Sequence, residues 1–152
     1  MDTVTVAASM TYGDIYVAQV AMGANPEQTV KAFVEAEAYD GPSLIIAYSH
    51  CIAHGIDMET GMGNQKMAVD TGHFPLYRFN PSLTAQGKNP LTLDSKAPSL
   101  AFQEQAKAET RFKQLAGMDA KAAEALFAQA DRAYRAKYDL LSKLAALPPF
   151  QG

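Results

Sequence analysis

The feature that most constrains the fold is a strand, helix, strand pattern over residues 15–49. The run IYVAQVAM, residues 15–22, is apolar on both alternating faces except at Gln19, which is typical of a strand covered on both sides in a parallel sheet. The run SLIIAYS, residues 43–49, has the same character. Because two parallel strands need a crossover connection, which is usually a helix, this unit predicts an α/β fold.

The connection between these two strands carries the start signals of a helix. Asn25 is a suitable N-cap, Pro26 occupies the first helical position, and Gln28 stands where the reciprocal partner of a capping box belongs. A stripe of apolar residues is expected to face inward. Its members are Val30, Phe33 and Val34.

Downstream of this unit the pattern is less regular. Residues 64–70 predict a short helix, and residues 75–81, PLYRFNP, predict a third strand that is ended by its last proline. Residues 81–98 have no period and contain many turn-forming residues. We therefore expect a long loop there, and loops of this length are usually functional or wrap a neighbouring element.

The last third of the chain, residues 99–152, is predicted to be a helical tail. Ser99 is the expected cap of a helix that ends at Gly117, and Asp119 is the expected cap of a second helix that runs to about Ala146. In the second helix, apolar residues recur every three or four positions and predict a packing surface. They are Ala123, Phe127, Ala130, Tyr134, Tyr138, Leu141 and Ala145.

The strand inventory is short for a complete domain. Two or three strands are visible in the sequence, whereas doubly wound sheets have roughly five or six. The predicted fold is therefore a partial doubly wound parallel sheet with a long loop and two C-terminal helices. Its missing strands would lie on another polypeptide or an upstream segment, or the chain would form a homodimer edge to edge.

Composition and charge exclude several classes of protein. The chain has one cysteine, no basic leader and no apolar run long enough for a bilayer, so we expect a cytoplasmic protein without a membrane anchor. Residues 1–80 hold three Lys/Arg against nine Asp/Glu, and residues 81–152 hold ten against seven. In the second half the two signs are interspersed along helical stretches, which argues against nucleic-acid binding.

The single cysteine, Cys51, lies in YSHCIAHGI, residues 48–56, directly after the second strand. Ligands of open α/β sheets gather beyond the carboxyl ends of the strands, so the thiol is expected at that edge. His50, Cys51 and His54 could form a zinc site, with His73, Asp57 and Glu59 as donors that could be recruited to it. Alternatively, Cys51 could be a nucleophile with a histidine base. An inert thiol is a third possibility. An iron–sulfur cluster requires four thiolates, and this chain supplies one.

Three stretches carry a resemblance to a known family. They are residues 10–56, then FPLYRFNP, then LTAQGKNPLTLDSKAP. Together they resemble the C-terminal end of pyruvate:ferredoxin (flavodoxin) oxidoreductases, and the match covers essentially the whole chain, most densely over residues 10–98. The resemblance implies that residues 1–80 are the latter part of a thiamine diphosphate-binding α/β domain, followed by a wrapping loop, 81–98, and the tail.

The resemblance also implies a role for the thiol. In the family, the cysteine at the position of Cys51 is the remote fourth ligand of the 4Fe-4S cluster nearest the thiamine, and the other three ligands come from far upstream. His50 and His54 would not be ligands, and His50 departs from the Pro or Thr of the family pattern. The motif for Mg²⁺ and thiamine diphosphate, a GDG followed by Asn, is absent from this chain.

Further expectations follow from the resemblance. The chain would have no catalytic residue of its own and would be inactive in isolation, and the intact enzyme would pass electrons to ferredoxin or flavodoxin. Two alternatives from other classes are a stand-alone interaction module that uses the apolar stripe of the last helix, and a small zinc-binding module that uses Cys51 and His54.

Overall fold

A computed structural model of the chain describes residues 12–148. The strands are β1 (Tyr16–Val20), β2 (Ser43–Ala47), β3 (Tyr77–Phe79) and β4 (Leu91–Leu93). The α-helices are α1 (Pro26–Ala38), α2 (Gly61–Asp70), α3 (Phe102–Ala108), α4 (Thr110–Met118) and α5 (Ala120–Ala145). Short 3-10 turns occupy Ile52–His54, Met58–Thr60 and Pro81–Gln86. The predicted α/β class is confirmed.

The described strands form one mixed sheet in the order β2-β1-β3-β4. β1 and β2 are parallel, as predicted, with Val20 opposite Ala47, and every residue of β1 is buried. Beyond this pair the parallel prediction needs correction, because β3 runs antiparallel to β1 and β4 antiparallel to β3. The reason is that α2 contacts the carboxyl edge of the parallel pair, so β3 starts from that edge and runs back.

The segment predicted as a long loop, residues 81–98, contains the 3-10 turn and β4. Strand β4 is only three residues long and is held by its pairing with β3. Asn89 anchors this segment to the end of α5, since its side-chain amide donates to the backbone carbonyls of Leu144 (2.8 Å) and Leu147 (3.0 Å). The Asn89 side-chain oxygen also accepts the Leu91 N–H at 2.8 Å, so one residue fixes both β4 and a helix end.

Replacing Asn89 by alanine should lower the free energy of unfolding by about 1–2 kcal/mol, because four backbone groups each lose a hydrogen bond at once. Urea unfolding followed by circular dichroism measures this loss. The neighbouring exposed Lys88→Ala variant is the control and should change stability by less than about 0.5 kcal/mol. Equal stabilities of the two variants would contradict the anchoring role of Asn89.

Helix α1 starts as predicted but presents a different face to the sheet. The Asn25 side chain accepts the Gln28 N–H at 2.9 Å, which confirms the cap. The reciprocal half of the capping box is wrong, because the Gln28 amide donates instead to Gln19 O (3.3 Å) and to Asp94 (3.0 Å). The predicted inward stripe is also wrong. Val30, Phe33 and Val34 are 60%, 54% and 63% exposed, and the buried residues of α1 are Gln28, Thr29 and Ala32.

A buried arginine links β3 to α1 and to the segment after β4. Arg78 is 8% exposed, and its Nε and Nη2 donate to the two Asp94 carboxylate oxygens at 2.9 and 2.8 Å. Its Nη1 donates to Glu35, which also accepts the Tyr16 hydroxyl at 3.0 Å. The Asp94 and Glu35 carboxylates raise the pKa of the Arg78 guanidinium, while burial above all raises the pKa of Tyr16. The interface between α1 and the sheet therefore contains a polar network beside an apolar cluster of Tyr16, Ala18, Val20 and Ala32.

The C-terminal helices differ from the prediction at their first boundary. Ser99 does not cap α3. The residue at the N-cap position is Ala101, which makes no side-chain capping bond. Instead Asp131 of α5 accepts the Phe102 N–H at 2.9 Å. The single helix expected over 99–117 is interrupted at Glu109, whose backbone is extended. The Asp119 cap of α5 is confirmed, since its carboxylate accepts the Ala122 N–H at 2.9 Å.

The apolar stripe of α5 packs as predicted against the rest of the described chain. Tyr134 and Phe127 contact the Phe102 ring at 5.0 and 6.0 Å between centroids, and Leu141 and Ala145 pack on the core cluster of β1, β3 and β4. Among the helices in residues 12–148, none combines the length and the apolar character needed to cross a bilayer.

Candidate functional site

The candidate site is the carboxyl edge of the parallel pair, where β1 and β2 end side by side at Val20 and Ala47. Two loops leave this edge. One connects β1 to α1, and the other runs from Tyr48 through Cys51 to the start of α2. Cys51 follows β2 by four residues, so the thiol stands beyond the strand ends.

Gln65 of α2 ties the two loops together. Its side-chain oxygen accepts the Gly23 N–H at 2.8 Å, which orients the amide so that its Nε2 donates to His50 Nδ1 at 2.9 Å. The His50 ring also lies against Gly61, where an added Cβ would come within 2.5 Å of His50 Nε2. His50 Nδ1 thus accepts a hydrogen bond from the Gln65 amide, which fixes the ring next to the cysteine.

Replacing Gln65 by leucine should lower the free energy of unfolding by about 1–3 kcal/mol, because the Gly23 N–H and His50 Nδ1 lose their partner in a side chain that is only 6% exposed. Chemical denaturation measures the loss. The matched control is Gln129→Leu, at an exposed position of α5. If both leucine variants unfold at the same denaturant concentration, Gln65 does not hold the two loops.

Cys51 itself is an exposed, free thiol. Its backbone is extended, and its Sγ accepts the Ala53 N–H at 3.4 Å, so it caps the 3-10 turn Ile52–His54. The turn ends at Gly55, which is left-handed with φ 66°, and the Gly55 carbonyl accepts both the Thr110 hydroxyl at 2.6 Å and the Thr110 N–H at 3.3 Å. The cysteine loop is therefore anchored to the start of α4 while the sulfur faces outward.

The same edge exposes several large apolar side chains. Met22, Ile52, Met58 and Met62 are 53%, 75%, 49% and 49% exposed. Contacts connect their loops, because an added Cβ on Gly23 would come within 2.5 Å of Met62 O. Exposed apolar side chains gathered at one edge are typical of a surface that another protein segment covers.

The donors considered for zinc are not brought together in the described residues. His50 is bonded to Gln65, Asp57 accepts the Glu59 N–H at 3.0 Å, and His73 stacks on Tyr134 with 4.9 Å between ring centroids. Within residues 12–148, excluding the His54 side chain, which lies outside the described part, no three His, Cys, Asp or Glu side chains are grouped to hold a metal ion. Among these residues, Cys51 is therefore not part of a group of three such side chains.

Behind the edge lies a buried polar cluster that the sequence did not indicate. Glu109, 2% exposed, accepts from Arg111 Nε at 2.6 Å and from the Gln105 amide at 3.1 Å. The Gln105 oxygen in turn accepts from Thr71 (3.0 Å) and from His73 Nδ1 (3.1 Å). The only sequence signal was the spacing of four between Gln105 and Glu109, which is common on any helix.

The cluster reaches the cysteine loop through Tyr48. Burial, and after it the Glu109 carboxylate, raise the pKa of the Tyr48 phenol, and its ring packs edge-on against Phe74 at 5.0 Å. Burial also lowers the pKa of His73 and outweighs the hydrogen bond to Gln105, which raises it, while the Lys137 ammonium adds a smaller lowering effect. His73 is therefore held neutral inside the fold.

Acidification should destabilise the chain through His73. The pKa of His73 is lowered in the folded state, so its contribution to the free energy of unfolding is fully present above the unfolded pKa of about 6.5. As the pH falls below that value, this stability is lost at up to about 1.4 kcal/mol per pH unit. A His73→Gln variant should show a shallower loss between about pH 7 and pH 5.5 in urea unfolding. Parallel pH profiles of the two proteins would contradict this assignment.

Comparison with known proteins identifies relatives of the chain. It is 53% identical over 144 residues to a pyruvate-flavodoxin oxidoreductase of Trichormus variabilis, which covers 95% of this chain. It is 48% identical over 137 residues to the pyruvate:ferredoxin oxidoreductase of Moorella thermoacetica and 46% identical over 136 residues to a probable pyruvate-flavodoxin oxidoreductase of Escherichia coli, each covering 90% of the chain.

The chain spans 12% of the length of each of these curated relatives. No protein-family model matches it. The identity of 42–53% nevertheless extends along nearly the whole chain, from the parallel strands to the helical tail. The chain therefore belongs to the pyruvate-flavodoxin (ferredoxin) oxidoreductase family and corresponds to a small part of such an enzyme.

Proposed function

We propose that the chain is the C-terminal part of an enzyme that oxidises pyruvate and passes the electrons to flavodoxin or ferredoxin in the cytoplasm. The observation that supports this proposal is the identity of 46–53% to three relatives whose names state that activity. The chain spans only 12% of each, so the activity would belong to the intact polypeptide and not to this segment by itself.

Within that enzyme, we propose that Cys51 is one thiolate ligand of a 4Fe-4S cluster. An exposed thiol at the carboxyl edge of a parallel pair is what a site completed by other residues requires. When bound, such a cluster carries single electrons. The other three thiolates would come from elsewhere in the enzyme, because this chain has one cysteine. The residues that hold thiamine diphosphate and Mg²⁺ would come from there as well.

The task of this chain would be to position the sulfur and limit its exposure to water. The Ala53 N–H and the anchoring of Gly55 by Thr110 restrict the cysteine loop, and Gln65 fixes His50 beside it. Hydrogen bonds to sulfur and solvent exposure both set the reduction potential of such a cluster. The apolar side chains of Met22 and Ile52 would lie at the boundary with the segment that brings the other ligands.

The intact polypeptide should release CO2 from pyruvate and reduce flavodoxin or ferredoxin, whereas this chain alone should do neither. The measurement is pyruvate-dependent flavodoxin reduction under anaerobic conditions with both proteins at equal concentration. CO2 release by the isolated chain with an added electron acceptor would overturn the proposal that it is incomplete. An intact, cofactor-loaded polypeptide without activity on pyruvate would overturn the proposed reaction.

A further inference from the structure

A buried ion pair lies behind the loop that carries Cys51. Glu109 is 2% exposed and stands at the break between α3 and α4, where its backbone is extended. Its carboxylate accepts from Arg111 Nε at 2.6 Å and from the Gln105 amide at 3.1 Å. The Arg111 side chain, in contrast, is 40% exposed. Burying a charge costs free energy, so a buried carboxylate behind a functional loop is a candidate for a functional role.

Two contacts bring this charge close to the cysteine loop. Thr110, the neighbour of Glu109 in the chain, donates its hydroxyl and its N–H to the Gly55 carbonyl at 2.6 and 3.3 Å. The approach is close, since an added Cβ on Gly55 would come within 2.4 Å of Thr110 Cβ. On the other side of Cys51, burial first and then the Glu109 carboxylate raise the pKa of the Tyr48 phenol. The carboxylate therefore lies within electrostatic range of both ends of the loop.

The ion pair has a net negative effect on the loop, although its formal charges cancel. Water screens an exposed charge more than a buried one, so the Arg111 guanidinium offsets only part of the effect of the Glu109 carboxylate. At Tyr48, the Glu109 carboxylate raises the pKa of the phenol more than the Arg111 guanidinium lowers it. Asp57 and Glu59, which follow the loop, carry the same sign as Glu109 but are exposed, so water screens their charges more.

We infer that the buried Glu109 carboxylate makes the electrostatic potential at the Cys51 sulfur more negative and thereby lowers the reduction potential of the cluster bound there. A cluster gains one negative charge when it is reduced, so a carboxylate nearby disfavours the reduced form and makes it a stronger electron donor. Arg111 moderates this effect without removing it. The inference rests on the proposed ligand role of Cys51, whereas the electrostatic potential at the sulfur is a property of this chain alone.

Alkylation of the single thiol in this chain measures the electrostatic potential at the sulfur. Iodoacetate is negatively charged and iodoacetamide is neutral, so the ratio of their rates reports that potential, while changes in loop mobility or thiol acidity affect both rates and cancel. Glu109→Gln should raise the iodoacetate-to-iodoacetamide ratio roughly two-fold. The double variant with Arg111→Gln should lie between it and the unchanged chain. The control is Glu104→Gln, at the exposed pair with Lys107 on α3, which should leave the ratio unchanged.

The second measurement is the reduction potential, in the intact polypeptide, of the cluster whose spectrum Cys51→Ala changes. Glu109→Gln should raise it by about 18 mV, the equivalent of a two-fold change when 59 mV is tenfold for one electron, with the iron content unchanged. An unchanged or lower potential, or an unchanged alkylation ratio, would overturn the inference. If that happens while Cys51→Ala loses iron, the proposed function stands. If the ratio changes but Cys51→Ala keeps its iron, the proposed ligand role fails, and with it the effect on the cluster.

Discussion

Replacing Arg78 by methionine is expected to lower the free energy of unfolding by about 3–5 kcal/mol. Methionine keeps much of the side-chain volume but removes the charge that neutralises two carboxylates. The Asp94 and Glu35 side chains are only 12% and 24% exposed, so neither can regain full hydration when its partner is lost. The cost of an uncompensated buried charge is much larger than the net gain from forming the pair.

The control for this prediction is a matched ion pair on the surface. Lys66 and Asp70 are joined at 2.6 Å, but the lysine is 60% exposed, so Lys66→Met should change stability by no more than about 0.5 kcal/mol. Urea unfolding of both variants measures the contrast. A difference of less than about 1 kcal/mol between them would contradict the structural role of Arg78.

A combined variant separates the charge effect from lost packing. In Arg78→Met with Glu35→Gln and Asp94→Asn, both carboxylates are removed along with the guanidinium. Much of the stability lost by Arg78→Met alone should return, because removal of a whole buried charge group is often close to neutral. Without such recovery, the loss would be due to the packing of the arginine stem and not to its charge.

Local signals in the sequence predicted the parts of the fold that depend on neighbouring residues. The caps at Asn25 and Asp119 act through bonds that reach three residues along the chain. The parallel pair of β1 and β2 follows from two apolar runs and a helix between them. The position of Cys51 after the second strand is a direct consequence of that unit.

What the sequence did not indicate depends on contacts that are distant in the chain. Glu35 and Asp94 meet at Arg78, 43 and 16 residues away. The buried residues of α1 are Gln28, Thr29 and Ala32, and not the apolar stripe. Similarly, Asp131 caps α3 from 29 residues away in place of Ser99. Periodicity identifies an apolar face of a helix but not the face that packs on the rest of the fold, and α1 packs on the sheet through Ala32 and Ala36.

The candidate site shows the same division. The residues themselves identify a thiol at a sheet edge, but they do not predict that Gln65 reaches both Gly23 and His50, 42 and 15 residues away. Nor does any motif indicate the buried chain of hydrogen bonds from Glu109 to His73. The cluster assignment of Cys51 came from resemblance to a family, since a single donor has no spacing that defines a site.

The second large effect is expected at Cys51 in the intact polypeptide. Cys51→Ala should lower the iron content by between about one and four atoms per chain, because a 4Fe-4S cluster that loses one of its four thiolates is either converted or lost. The electron paramagnetic resonance signal of the reduced cluster should change accordingly. Pyruvate-dependent reduction of flavodoxin should fall to background.

A neighbouring variant shows whether the effect belongs to the sulfur. Ile52→Ala changes the adjacent side chain, which is 75% exposed, and leaves the Ala53 N–H and the Gly55 anchor in place. It should retain the full iron content, because no ligand is removed. The isolated chain should bind no iron, whether or not Cys51 is replaced, since its described residues have no group of three His, Cys, Asp or Glu side chains that could hold a metal ion. If Cys51→Ala in the intact polypeptide kept both its iron and its spectrum, Cys51 would not be a ligand, even if activity declined for another reason.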